Sequence, residues 1–210
     1  MNDANHWNKI YASKPVDALG WYEEIPSPSI EFISKCTLNK TSPIIDVGSG
    51  ASNLIQHLII KGYRNLIALD HSTEALRKLK ESIPEDQMQP VRLIVADICS
   101  SEWLDDVDEV ALWHDRALLH FLMEPSDREK YMDRLRYLVK KDGFVVIGAF
   151  SLEGASYCSG LPVQRYSAET LSKLIGDEFC LIESTDYLYR MPGGDTRPYV
   201  YAMFKRLLRK

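Results

Sequence analysis

The chain has 210 residues, 45% of them hydrophobic and 26% charged, with 25 Lys and Arg against 30 Asp and Glu for a formal net charge of −5. That length suits one domain, 1–210, and the acidic balance argues against a sequence-independent grip on nucleic-acid phosphates. A polar start (Met1–Trp7), no membrane-length apolar run, and four scattered cysteines without a CxxC pair set the expectation of a cytoplasmic protein with free thiols and no membrane partner.

Residues 1–26 carry Trp7, Tyr11, Trp21 and Tyr22, broken by Pro15 and Pro26, and read as an N-terminal helix and covering arm. Ser27-Pro28-Ser29 opens a helix to about Thr37, because proline fits a first turn. Strand and helix then alternate. Ile44–Val47 reads as a buried strand, 53–61 as a helix closed by Gly62, and Asn65–Leu69 as a second strand ending at Asp70. Ser72 caps a helix to about Ser82, stopped by Pro84; Val91–Ala96 is a third strand ending at Asp97, and Val107–Trp113 a fourth. Ser126–Glu129 reads as a capping box for a helix to about Lys140, and Asp142-Gly143 as the turn into a fifth strand, Phe144–Phe150. After the loop Ser151–Tyr166, Ser167 caps a helix to about Ile175, and Phe179–Tyr189 with Tyr199–Leu207 make a hairpin around the turn Arg190–Pro198. The alternation predicts an α/β fold: a parallel sheet covered on both faces, closed by an antiparallel strand.

The most informative run is Asp46-Val47-Gly48-Ser49-Gly50-Ala51-Ser52, between the first strand and its helix. Strand, glycine turn and helix build a nucleotide pocket at a helix N-terminus, where glycine lets backbone approach a ligand. The acid selects the ligand. A carboxylate repels a pyrophosphate and attracts an ammonium, which points to S-adenosylmethionine rather than a dinucleotide. Asp46, Asp70 and Asp97 end three successive strands at intervals of 24 and 27 residues, each one strand-helix-strand unit. Asp46 suits the amino-acid ammonium, Asp70 the ribose hydroxyls and Asp97 the adenine amino group. Read singly, each acid is an ordinary strand-end turn or cap. An NAD(P)-dependent oxidoreductase is the alternative, but its fingerprint wants a third glycine where Asn53 stands. A non-catalytic binding module on the same fold is the other.

These residues resemble the class I S-adenosylmethionine-dependent methyltransferases, specifically over about 40–150, with Ser52 in place of a common third glycine. The resemblance implies a Rossmann-like sandwich of seven mostly parallel strands with an antiparallel C-terminal one. It implies S-adenosyl-L-methionine as cofactor and S-adenosyl-L-homocysteine as product. On the motif positions it implies a cofactor site of Asp46, Gly48, Ser49, Gly50, Asp70, His71, Asp97 and Ile98. The string Trp113-His114-Asp115-Arg116-Ala117, with His120-Phe121-Leu122, is similar to small bacterial methyltransferases of the type 11 and type 12 domain groups, and more loosely to protein-lysine methyltransferases. The acceptor is thus a small molecule or a protein lysine.

Methyl transfer from a sulfonium needs alignment and dryness more than a catalytic side chain. Asp115 and His114 are the candidates to orient or deprotonate the acceptor, with Arg116 gripping a carboxylate. The plainer reading has Asp115 capping a short helix and Arg116 pairing with an acid. Trp21, Tyr157, Arg165, Tyr166 and Arg197 complete the expected acceptor contacts, from the arm, the 151–166 loop and the C-terminal hairpin of 151–210. Cys158 reads as an idle thiol. No metal site is expected: His114 and His120 are six apart, a poor interval for one helix face.

Overall fold

Four runs of branched and leucine side chains become the centre of a sheet. β1 (Ile44–Val47) and β2 (Leu66–Asp70) are buried along their whole length, as strands covered on both faces must be. The structure is a computed structural model that describes residues 4–207; residues 1–3 of the expected arm and residues 208–210 lie outside the described residues. Ahead of β1 come α1 (Ala4–Ser13) and α2 (Ser27–Lys35), the latter with Pro28 in its first turn. α3 (Leu54–Ile60) follows β1, and Gly62, at φ +90°, turns the chain out of it. α4 (Thr73–Ser82) follows β2, capped where Ala75 N donates to Ser72 Oγ at 3.1 Å. β3 is Val91–Val95.

The next elements depart from the expected bounds. β4 runs Val110–Arg116, so His114, Asp115 and Arg116 belong to the strand itself and not to the segment after it. α5 (Pro125–Leu138) begins at a proline, with Glu124 before it making no side-chain cap. The expected capping box at 126–129 therefore lies inside the helix, because Pro125 takes the first helical position. β5 (Val139–Phe150) holds the Asp142-Gly143 turn as an excursion: Val139 pairs with Val110 and Phe144 with Leu112, and Asp142 between them has φ +61°. The expected 151–166 loop contains a small hairpin, β6 (Tyr157–Cys158) with β7 (Leu161–Pro162). α6 (Ala168–Ile175) has its capping box between Ser167 and Thr170. β8 (Phe179–Arg190) and β9 (Thr196–Arg206) close the chain, with β9 starting at Thr196 rather than Tyr199.

The seven long strands lie in the order β3-β2-β1-β4-β5-β9-β8. β1 to β5 pair in parallel, and β9 is antiparallel to both β5 and β8. This is the Rossmann-like sandwich of a class I methyltransferase. Alternate residues face opposite ways. Ile45, Leu69, Val145 and Phe204 pack with Tyr131, Leu135 and Leu171 of α5 and α6; Ile44, Leu66, Val146 and Met203 pack with Phe32, Leu58 and Leu79 of α2, α3 and α4. The arm lies across α4, fixed where Asn8 Oδ1 accepts from Ser72 Oγ at 2.7 Å and from Glu74 N at 3.1 Å. Among the described residues no helix is long and apolar enough to cross a membrane.

Candidate active site

β1 delivers Asp46 and then turns at Gly48 and Gly50, with φ of +65° and +59°. A Cβ at Gly48 would stand 2.6 Å from Leu118, and one at Gly50 2.3 Å from the Tyr11 hydroxyl. Both conformation and space therefore require glycine. Asp70, ending β2, ties the turn down: its carboxylate accepts from Gly50 N and from Ser72 N, each at 2.8 Å. Burial pushes the Asp70 carboxyl above its usual range, and these two amides oppose the shift. Asp97, just beyond β3, accepts from Cys99 N at 2.7 Å.

Asp46 is almost fully buried, with Oδ1 2.6 Å from His114 Nδ1, while His114 Nε2 is 2.8 Å from Ser29 Oγ. A carboxylate only accepts, so Nδ1 carries the hydrogen donated to Asp46, and Nε2 shares a hydrogen bond with the Ser29 hydroxyl. Acid, imidazole and hydroxyl stand in the order of a hydrolytic triad. Ser29 is 0% exposed, however, so no substrate carbonyl reaches it.

Two cavities meet at the glycine turn. The inner one is bordered by Gly48, Asp70, His71, Arg116, Phe121 and Cys158; the outer one by Asp46, Ser49, Asn53, His114 and Glu23. Tyr11, Trp21, Gly48 and Arg116 border both. Ser49 Oγ is buried in the outer cavity's wall with no hydrogen-bond partner. From His71 a groove continues past Ala96, Asp97, Ser100 and Trp103.

Arg116 stands between the cavities because β4 ends there. Ala117 takes φ +70°, a left-handed turn that donates its N–H to Gly148 O and borders the inner cavity. Arg116 Nε donates to the Tyr201 hydroxyl at 3.1 Å and Nη1 to Trp21 O at 3.0 Å; Glu23 Oε2 lies 2.9 Å from Nε. The guanidinium also faces the rings of Tyr189 and Tyr199, at 5.1 and 5.3 Å. The arm segment holding Trp21 and Glu23 is fixed further where Asn53 Nδ2 donates to Glu23 O and Glu24 O, and the Tyr189 hydroxyl to Tyr22 O.

The expected site residues separate into groups. Asp46, Gly48, Ser49, Asp70 and His71 border the two cavities, with His114, Arg116 and Trp21, while Gly50 borders neither and is tied to Asp70 through its N–H. Asp97 borders the groove, while Ile98, 1% exposed, points into the core with α5 and takes no place in the wall. Asp115 borders neither cavity. It is fully buried and accepts from Leu118 N, Leu119 N and the Tyr131 hydroxyl at 2.8–3.0 Å, so it caps the turn after β4. Tyr157 is 64% exposed, Arg165 donates to Leu152 O and Gly154 O, and Arg197 to Thr196 O; none of the three borders the cavities. Tyr166 packs on the opposite face of the sheet, against the α5 side. The hairpin β6–β7 brings Cys158 to the inner cavity's wall and leaves Tyr157 outside.

Tyr11, Glu23, Ser29, Tyr189, Tyr199 and Tyr201 were not among the expected site residues. The spacing Trp7 to Tyr11 was a signal, one helix face of aromatics, and so was Tyr199-x-Tyr201, one face of a strand. Glu23 carries no local signal.

The sequence of residues 44–143 matches the family described as methyltransferase domain. A curated relative, EEF1A lysine methyltransferase 2 of Danio rerio, is 22% identical over 153 residues, which span 69% of this chain and 65% of that protein. The chain thus matches less than two thirds of that relative's length. A methyltransferase structure from Anabaena variabilis superposes with a TM-score of 0.74 at 19% identity, covering 98% of this chain and 96% of that one. The N-methyltransferase NodS of Bradyrhizobium japonicum, solved with S-adenosyl-L-homocysteine, superposes with a TM-score of 0.71 at 11% identity, covering 98% and 99%. These superpositions carry the fold of the class I S-adenosylmethionine-dependent methyltransferases, and the match across the glycine turn is to the methyltransferase domain family.

Proposed function

We propose that this chain transfers a methyl group from S-adenosyl-L-methionine to a small-molecule acceptor held in the inner cavity. The observation that carries the reading is the pair of joined cavities at the glycine turn, one polar at Asp46 and Ser49, the other mainly apolar and aromatic. The family's cofactor fits the residues present. The orphaned Ser49 hydroxyl and the Asp46 carboxylate suit an amino-acid head, Asp70 the ribose hydroxyls, and Asp97 in the adjoining groove the adenine. When bound, S-adenosylmethionine supplies a methyl on a sulfonium with a thioether as leaving group.

The chain's own part is binding, orientation and exclusion of water. His114 is a positioning residue that holds Asp46, itself steadied by Ser29. Trp7, Tyr11 and Trp21 cover the cavities and keep them dry. Asp115 is a positioning residue too, because it holds the turn that carries Ala117 and Leu118 in the inner wall.

A protein-lysine acceptor is the second reading, favoured by the likeness to EEF1A lysine methyltransferase 2. It would require the side chain to enter under the aromatic arm.

Calorimetric titration with S-adenosyl-L-homocysteine beside NAD tests the cofactor. Micromolar binding of the first and none of the second is expected. Asp70→Ala should weaken it by roughly a hundredfold, since a ribose acceptor and the tie to two backbone amides go together. NAD binding alone, or unchanged affinity in Asp70→Ala, would sink the assignment.

A further inference from the structure

We propose that the inner cavity selects methyl acceptors bearing a carboxylate on an apolar body, with the free Nη2 of Arg116 as the group that reads it. The inference rests on the methyltransferase reading above and narrows its acceptor. A guanidinium carries five N–H donors in a planar fork. Here Nε and Nη1 are spent on the Tyr201 hydroxyl and the Trp21 carbonyl, both neutral acceptors, while Nη2 is buried with no partner. A buried donor left unmade is costly, and native structures place such groups where a ligand completes them.

The counter-charge in place is a poor match. Glu23 Oε2 lies close to Nε, yet neither carboxylate oxygen of Glu23 makes an aligned hydrogen bond. Burial also drives the Glu23 carboxyl above its usual range, with Arg116 opposing. The ring faces of Tyr189 and Tyr199 stabilise the cation. An incoming carboxylate would supply a charge-assisted bond and a full counter-charge. The other charged group on this wall, Asp70, is already engaged by two backbone amides. Phe121, Leu118 and Trp7 supply the apolar remainder of the wall, so the body of the ligand is aromatic or aliphatic. A lysine ammonium would instead meet the like charge of Arg116.

The test uses the full chain saturated with S-adenosyl-L-homocysteine and three matched probes, phenylacetate, phenylacetamide and phenethylamine, followed by tryptophan fluorescence from Trp7 and Trp21. Phenylacetate should bind at least about tenfold more tightly than the amide, the worth of one charge-assisted bond, and the amine least. Arg116→Gln should abolish that preference. Glu23→Gln, which keeps the shape and removes the competing carboxylate, should tighten phenylacetate by roughly tenfold and leave the amide unchanged. Equal binding of acid and amide, preference for the amine, no binding of any probe, or a carboxylate preference indifferent to both substitutions would overturn the proposal. Calorimetry with the homocysteine product, run on the same preparations, separates the two readings. Intact cofactor binding without carboxylate preference removes only the acceptor class. Lost cofactor binding removes the methyltransferase assignment.

Discussion

Asp115 and His120 lie five residues apart and answer pH in opposite senses. Burial lifts the Asp115 carboxyl from 3.8 to about 6, against the lowering effect of its backbone and Tyr131 donors. Its folded pKa exceeds the unfolded one, so the folded state holds the extra proton between about pH 4 and 6, and stability falls as pH rises through that window, by on the order of 3 kcal/mol. Burial, helped by the Arg116 charge, drops the His120 imidazole from 6.5 to about 3. The unfolded chain then binds the extra proton, and stability rises with pH between about 3 and 6.5, by on the order of 5 kcal/mol. The two contributions partly cancel in the native chain. Asp115→Asn should therefore steepen the rise of urea-unfolding stability from about pH 4 to 6. His120→Asn, which keeps an acceptor for Phe150 N, should flatten or reverse it. The opposite ordering of slopes would show that the charges of these groups are compensated by partners other than those described.

At the scale of elements, the arm between α1 and α2 borders both cavities through Trp21. Its hold on the sheet is local and polar: Asn53 at the start of α3 donates to the carbonyls of Glu23 and Glu24, and Arg116 at the end of β4 to that of Trp21. Asn53→Ala removes two of those bonds without touching either cavity's charged groups. We expect faster amide exchange over 19–25 and an affinity for S-adenosyl-L-homocysteine lower by about tenfold, with little change in global stability. Exchange equal to the native chain's would mean that Arg116 and Tyr189 hold the arm without Asn53. The sequence showed Asn53 only as a misfit for a dinucleotide fingerprint, because its partners lie about 30 residues away in a stretch with no periodic pattern. Strand cores and the three strand-end acids were legible for the opposite reason. Their signal is local, an apolar run followed by a turn. The end of β4 was not, since His114, Asp115 and Arg116 are polar residues that continue a strand, and each is compensated by a residue distant in sequence. The loop was no more legible, because a six-residue hairpin, 157–162, decides which of Tyr157 and Cys158 faces inward.

The described residues place both cavities at the end of the sheet where β1 turns, with an apolar layer on either face, so the same strands carry the cavity walls and the core. Cys36, at the end of α2, reports on the layer farther from α5: it is buried beside Phe32 and Met203, and burial pushes its thiol up to about 12. A protonated, covered thiol does not react until the structure opens. Cys180, on the edge strand β8, is exposed and serves as an internal control. With S-adenosyl-L-homocysteine at about a hundred times its dissociation constant, a ligand that binds only the folded chain adds about 2.7 kcal/mol. If Cys36 is reached only by global unfolding, its labelling by a thiol-specific reagent, measured where reclosing outpaces the chemistry, should slow by roughly a hundredfold while Cys180 keeps its rate. An unchanged Cys36 rate would mean that α2 lifts away on its own. The Ser29 end of the Asp46–His114 relay would then be a mobile support, and the cofactor head group would be held by β1 and the glycine turn alone.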